Sequence, residues 1–214
     1  MEKSPTSPEM TALVTITGFR AFPGVPDNPS QRLIEYLDSH PEMLAVPHRQ
    51  DLLDVAYAGV DAALESLLAE APAALVLTGF SRRASGLTLE RCVTSAFAVD
   101  RPDCDGSVPE PCPGNPLLRS NAAVDFGALH SLLCHAGLPC SLSDDAGTYL
   151  CNFTYRRAME LIELKRLSTR TIFVHIPAIE GTPLATESVS AMTLEDIARG
   201  LAAVAGQLGS SPAE

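Results

Sequence analysis

Tryptophan is absent from the 214 residues, aromatic side chains make up only 5%, and 15 Lys and Arg face 26 Asp and Glu, for a formal net charge of −11. That shortage of positive charge excludes a nucleic-acid surface, which needs clustered Lys and Arg to meet phosphate. It opposes binding to an anionic membrane surface for the same reason. No apolar run approaches the roughly 20 residues of a membrane span. Residues 1–10 are polar and hold Pro and Ser, without the positive-then-apolar pattern of a secretory leader. These absences point to a cytoplasmic protein. Cys-x-x-Cys units are missing too. Six cysteines in a chain this large, with no export pattern, read as free thiols rather than a disulfide framework. Cys134 and Cys140 bracket a predicted helix end with His135 between them, but their five-residue spacer fits no standard zinc pattern. Cys104 and Cys112 lie in a Pro-rich loop. No metal is expected.

The chain does have a 46% hydrophobic content, enough for one well-buried α/β core. Residues 1–10 and 209–214 read as flexible ends around a single domain over 11–208. Residues 11–17 are β-branched and apolar, a predicted central strand. Gly and Pro then break the chain over 18–24 into a loop holding Phe19 and Phe22. Asn28-Pro29-Ser30 carries the cap-then-proline signature of a helix start, with the helix predicted to run to Ser39. Further strands are predicted at 51–55, 73–77 and 169–176, with a long one over 87–99. Helices are predicted at 57–70, 124–136 and 150–164, and a last one from Thr193. Residues 100–121, crowded with Pro, Asp, Cys and Gly, read as a loop of a length that usually serves as a lid. The alternation of strands and helices predicts a single-domain α/β/α sandwich whose mixed, mostly parallel sheet is covered by helices on both faces.

Three residues stand out by position. Cys151 falls in the first turn of the predicted 150–164 helix, where unpaired N–H groups and the helix dipole favour an anion, and the thiolate is the nucleophilic form of cysteine. His175 sits near the end of a strand, just before Pro177. Imidazole titrates near neutral pH and suits the base that a thiol nucleophile needs. Glu90 sits on or beside another strand, and a carboxylate can fix the tautomer of such a histidine and support its charge. Each has a plainer reading: a buried thiol acting as a small hydrophobe, a core histidine, and a surface acid paired with Arg91.

At these positions the chain resembles the type I pyroglutamyl peptidases, also called pyrrolidone-carboxylate peptidases. The family's cysteine motif is matched by Gly147-x-Tyr149-x-Cys151-Asn152, and its glutamate motif by Gly79 with Leu87-Thr88-x-Glu90-Arg91. Its histidine strand end is matched by Val174-His175-Ile176-Pro177. The opening Thr17-Gly18-Phe19-x-x-Phe22 with Asn28-Pro29-Ser30 is similar as well, as is Ser190-x-Met192-x-Leu194-Glu195-Asp196-Ile197. One family run departs: it reads Ala98-Val99-Asp100-Arg101-Pro102-Asp103 here, with the arginine displaced by one residue.

The resemblance implies a cysteine exopeptidase that removes N-terminal 5-oxoproline from peptides, with Cys151 as nucleophile, His175 as base and then acid, and Glu90 orienting His175. It implies Phe19, Phe22, Asn28, Phe80 and Leu150 as substrate-binding residues, Arg101 as an oxyanion or lid residue, no cofactor, and a homotetramer. A pyroglutamyl ring is flat and uncharged, so its site should be apolar with a few polar groups. Two alternatives stand beside this reading: a related cysteine amidohydrolase with another N-acyl or lactam substrate, and a non-catalytic binding homologue.

Overall fold

The computed structural model describes residues 13–110 and 118–210. The expected flexible start at 1–10, Cys112 and residues 211–214 lie outside the described residues. In chain order the elements are β1 (Val14–Phe19), α1 (Pro29–Ser39), β2 (His48–Leu53), α2 (Tyr57–Ala69), β3 (Ala74–Phe80), β4 (Leu87–Glu90), β5 (Cys92–Thr94), β6 (Leu118–Ser120), α3 (Phe126–His135), β7 (Cys140–Ser143), α4 (Leu150–Leu164), β8 (Arg170–Ile176), β9 (Ala178–Ile179), β10 (Ala191–Met192) and α5 (Leu194–Ser210). A 3-10 turn at Pro41–Met43 follows α1.

Six strands form one sheet in the order β2-β1-β3-β8-β4-β7. The first four are parallel, whereas β4 runs antiparallel to β8 and parallel to β7. The sheet is therefore mixed and mostly parallel, as expected. Successive side chains on a strand point to opposite faces, and the core divides accordingly. Val14, Ile16, Val76, Leu87, Leu89 and Val174 pack against α1, α3 and α5. Leu75, Leu77 and Phe173 pack against α2 and α4. Helices thus cover both faces.

Local chemistry explains the ends of several elements. Asn28 caps α1, its side-chain oxygen accepting from the backbone N–H of Ser30 at 3.0 Å, and Pro29 occupies the first turn. α3 closes with Gly137 at φ +72° and hydrogen bonds from Gly137 N to Cys134 O and from Leu138 N to Leu133 O. That pair is a Schellman motif, which needs a residue comfortable in the left-handed region.

Several expectations are corrected. The strand expected at 51–55 lies at His48–Leu53, paired with all of β1. The strand expected over 87–99 stops at Glu90. Cys92–Thr94 pairs instead with Leu118–Ser120 in a separate two-stranded sheet, so the 100–121 segment ends in a strand rather than in loop. Cys140–Ser143, where no element was expected, forms β7, the edge strand of the main sheet. Helix α5 runs from Leu194 to Ser210. Among the described residues, no helix is long and apolar enough to cross a membrane.

Candidate active site

His175 and Phe173 alternate with Ile172 and Val174 along β8, so both point to the face covered by α2 and α4. Glu90, the last residue of β4, points to the same face because Leu87 and Leu89 point to the other. Glu90 pairs with Phe173 in the antiparallel ladder, and Thr88 pairs with His175. This register brings the carboxylate alongside the imidazole, with Nδ1 of His175 2.8 Å from Oε1 of Glu90. Both side chains are buried, Glu90 to 2% exposure and His175 to 7%. The second carboxylate oxygen, Oε2, is buried with no hydrogen-bond partner among the described residues.

Cys151 approaches from above the sheet, as the second residue of α4. Gly147, at φ +81°, turns the chain into this helix in a conformation that other residues adopt only with strain. Tyr149 precedes α4 in extended backbone and offers no side-chain cap, so the positive end of the helix dipole faces the thiol. Asn152 fixes the helix start from behind. Fully buried, it accepts from Thr94 N at 2.9 Å and donates to Thr94 O at 2.9 Å, joining α4 to the end of β5. This explains the asparagine of the cysteine motif, to which the sequence alone assigns no role.

Burial and two neighbouring groups act on His175 together. Burial opposes the charged imidazolium, but the nearby Cys151 sulfur and the hydrogen-bonded Glu90 carboxylate outweigh it and raise its pKa from 6.5 to about 9. The arrangement can therefore hold a proton on His175 at neutral pH, beside the Cys151 sulfur. A nucleophile, a base able to return the proton as an acid, and a carboxylate that orients the base are the parts that acyl transfer requires.

A cavity of about 290 Å³ opens beside Cys151 and His175, near the lower end of the roughly 300–1,000 Å³ usual for ligand sites. Phe19, Phe22, Asn28, Phe80 and Leu150 all line it. Asn28 is largely committed to the loop, accepting from Ser30 N and Ser30 Oγ and donating to Arg20 O at 3.0 Å. Val55, Ser81 and Arg83 also line the cavity and were not foreseen, because their β-strand ends and loops meet it only in three dimensions. Among its described lining residues there is no Asp or Glu.

Arg101 lines the same cavity despite its displacement in sequence, with its guanidinium carbon 4.1 Å from the centre of the Tyr149 ring. The first part of the long loop is pinned rather than free. Ala98 N donates to Thr148 O at 2.7 Å, Tyr149 Oη donates to Pro102 O at 3.0 Å, and Cys104 N donates to Val55 O at 3.0 Å. Asp103 is buried and accepts from Tyr57 N at the start of α2, from Asp105 N and from Ser107 N. Through Arg101, this first part of the loop forms a piece of the cavity wall.

The pyroglutamyl peptidase family matches residues 12–208. The pyrrolidone-carboxylate peptidase of Thermococcus kodakarensis is 32% identical over 192 residues, covering 88% of this chain and 91% of that one. The protein of the same name from Thermococcus onnurineus is 30% identical over 190 residues, covering 87% and 93%. The crystal structure of pyrrolidone carboxyl peptidase from Thermus thermophilus superposes with a TM-score of 0.75 at 31% identity, over 90% of this chain and 98% of that one. Pyroglutamyl peptidase I of Bacillus amyloliquefaciens shares the fold, with a TM-score of 0.82 at 22% identity over 94% and 98%.

Proposed function

The chain belongs to the pyroglutamyl peptidase family, and from that premise we propose how it removes an N-terminal pyroglutamyl residue from a peptide. The observation that carries the reading is a Cys151–His175–Glu90 line at the edge of a cavity of mixed apolar and polar lining with no carboxylate among its described lining residues. A free α-amino group would need such a carboxylate, whereas the lactam N–H of pyroglutamate is neutral and needs only an acceptor. Phe19, Phe22, Phe80 and Leu150 form the apolar walls, and Asn28 holds the loop that carries the two aromatics.

Cys151 Sγ attacks the carbonyl carbon of the pyroglutamyl residue, and the negative charge developing on the carbonyl oxygen lies near the first-turn N–H groups of α4. His175 gives its proton to the leaving amine as the C–N bond breaks, leaving a thioester on Cys151. The now neutral His175 takes a proton from water as the hydroxide attacks the thioester, the C–S bond breaks to return the thiolate of Cys151, and the released acid gives its carboxyl proton to solvent to become pyroglutamate. Glu90 keeps Nδ1 of His175 engaged, so that Nε2 is the nitrogen that moves the proton. Arg101, stacked on Tyr149, closes the cavity rather than meeting the sheet.

The reading takes residues 11–208 as one peptidase unit and needs no cofactor, because the nucleophile, acid and base all come from side chains. A catalytic thiol suits a reducing compartment, which supports a cytoplasmic location. Family resemblance supports a homotetramer.

Release of the chromophore from a pyroglutamyl anilide tests the reading. Turnover of that substrate with none of the matching prolyl anilide, which carries a basic amine in place of the lactam, is the expected result. Equal or preferential cleavage of the prolyl compound would overturn it.

A further inference from the structure

The sequence places His135 between Cys134 and Cys140, but the fold brings a different histidine to them. His130 and Cys134 stand one helical turn apart on α3 and so share a face. The Schellman turn at Gly137 then reverses the chain, and Pro139 leads into β7, whose first residue is Cys140. Cys140 is held in place by its ladder pairing with Leu87 and by the hydrogen bond from Leu87 N to Pro139 O at 2.9 Å. His135 points elsewhere, with Nδ1 2.7 Å from Ser131 O.

The result is a three-donor cluster with one ligand atom each from His130, Cys134 and Cys140, all within 4.8 Å of one another. Sγ of Cys134 lies 3.4 Å from Sγ of Cys140 and 3.8 Å from a ring nitrogen of His130. Two bonds of about 2.3 Å at the tetrahedral angle would separate their sulfurs by about 3.8 Å, and a sulfur and an imidazole nitrogen by about 3.6 Å. These two separations are close to those values, so Cys134 can share a cation with either neighbour after shifts of a few tenths of an ångström, while His130 and Cys140, within 4.8 Å of each other, have to draw closer around it.

We propose that His130, Cys134 and Cys140 form a surface site for one thiophilic divalent cation, Zn2+ or its congeners, tying the end of α3 to the edge strand β7. Two thiolates and an imidazole suit a borderline-soft ion, and a fourth, solvent-facing position remains for water. The donors sit on a capped helix and a paired strand, so little order has to be gained on binding. Binding releases both thiol protons, leaving M(SR)2(His) with two H+ in solution, so affinity rises with pH.

The test uses the reduced full-length chain carrying Cys151→Ser, which removes the other thiol–histidine pair, and Co2+ and Zn2+ as probes. The expected result is one equivalent of Co2+ with a thiolate-to-cobalt charge-transfer band and the visible bands of tetrahedral Co2+, displaced by Zn2+. Cys134→Ser and Cys140→Ser should each abolish the charge-transfer intensity or weaken binding by at least ten-fold. His130→Ala should weaken it and alter the visible bands. Peptidase turnover by Cys134→Ser/Cys140→Ser in the chain with native Cys151 checks that the double variant folds. Absence of the bands in the reduced parent would overturn the proposal. So would an undiminished signal in the double variant, or binding and spectrum unchanged in His130→Ala.

Discussion

Gly79 faces Cys151 so closely that a Cβ on it would stand 3.0 Å from Sγ and 2.9 Å from Cζ of the Phe173 ring. Gly79 pairs with His175 in the β3–β8 ladder, so the strand next to the histidine leaves open the space that the sulfur occupies. Gly79→Ala should therefore displace Sγ or the buried Phe173 ring. We expect a loss of about 1–3 kcal/mol in stability from overpacking, read by urea denaturation, and a fall in kcat greater than any rise in KM. Unchanged stability and turnover would show that the thiol does not need this gap.

Cys151→Ser should retain the fold and lose turnover of a pyroglutamyl anilide by on the order of 10⁴-fold, since an alcohol is a far weaker nucleophile than a thiolate. Circular dichroism and the anilide assay, run on the same preparation, separate folding from chemistry. Native-like activity in the serine variant would refute the nucleophile assignment.

The raised pKa of His175 has two consequences with one sign. Its folded value of about 9 stands above its ordinary 6.5, so the stability it contributes is present in full below about pH 6.5 and is lost as pH rises through about 9. The acid form that protonates the leaving amine disappears over the same range, giving kcat/KM an alkaline limb near pH 9. Glu90→Gln removes one of the groups that raise this pKa and should move the limb to lower pH. A limb that stays in place in Glu90→Gln would exclude His175 as its source.

Asn152→Ala would leave the N–H and C=O of half-buried Thr94 without their side-chain partner. Unsatisfied groups of this kind cost about 1–3 kcal/mol each. We expect about 2 kcal/mol of destabilisation or more, and a lower kcat because the start of α4 carries Cys151. A change in kcat without any loss of stability would contradict this account.

Arg101→Ala removes the guanidinium that stacks on Tyr149 at the wall of the cavity. A contact of that kind is worth about 1 kcal/mol, so kcat/KM should fall about five-fold, mainly through KM. A fall of several orders of magnitude confined to kcat would instead place Arg101 on the oxyanion.

Some features were readable in the sequence because they are local. The Asn28 cap, the Pro29 start of α1 and the apolar faces of α2 and α4 depend only on residues within a few positions of each other. β7 was missed for the opposite reason. Its four residues, Cys140–Ser143, are half exposed and carry no apolar pattern, and they form a strand only because β4 offers an edge to pair with. Residues 87–99 alternate well enough to read as one strand, yet the chain leaves the main sheet after Glu90 because Cys92–Thr94 finds a partner more than 20 residues later in Leu118–Ser120.

The same division holds for the site. By itself the sequence determined the α/β class and named Cys151, His175 and Glu90, since spacing, helix ends and motif order are written along the chain. Only the tertiary structure decided that these three meet, because that depends on the reversed direction of β4 and the register that sets Glu90 across from Phe173. It also decided that Arg101 reaches the cavity one residue out of place, and that His130 rather than His135 stands against the two thiols. Those outcomes rest on pairings between distant segments, and the pleat of a strand and the turn of a helix choose the facing side chain only after the segments have met.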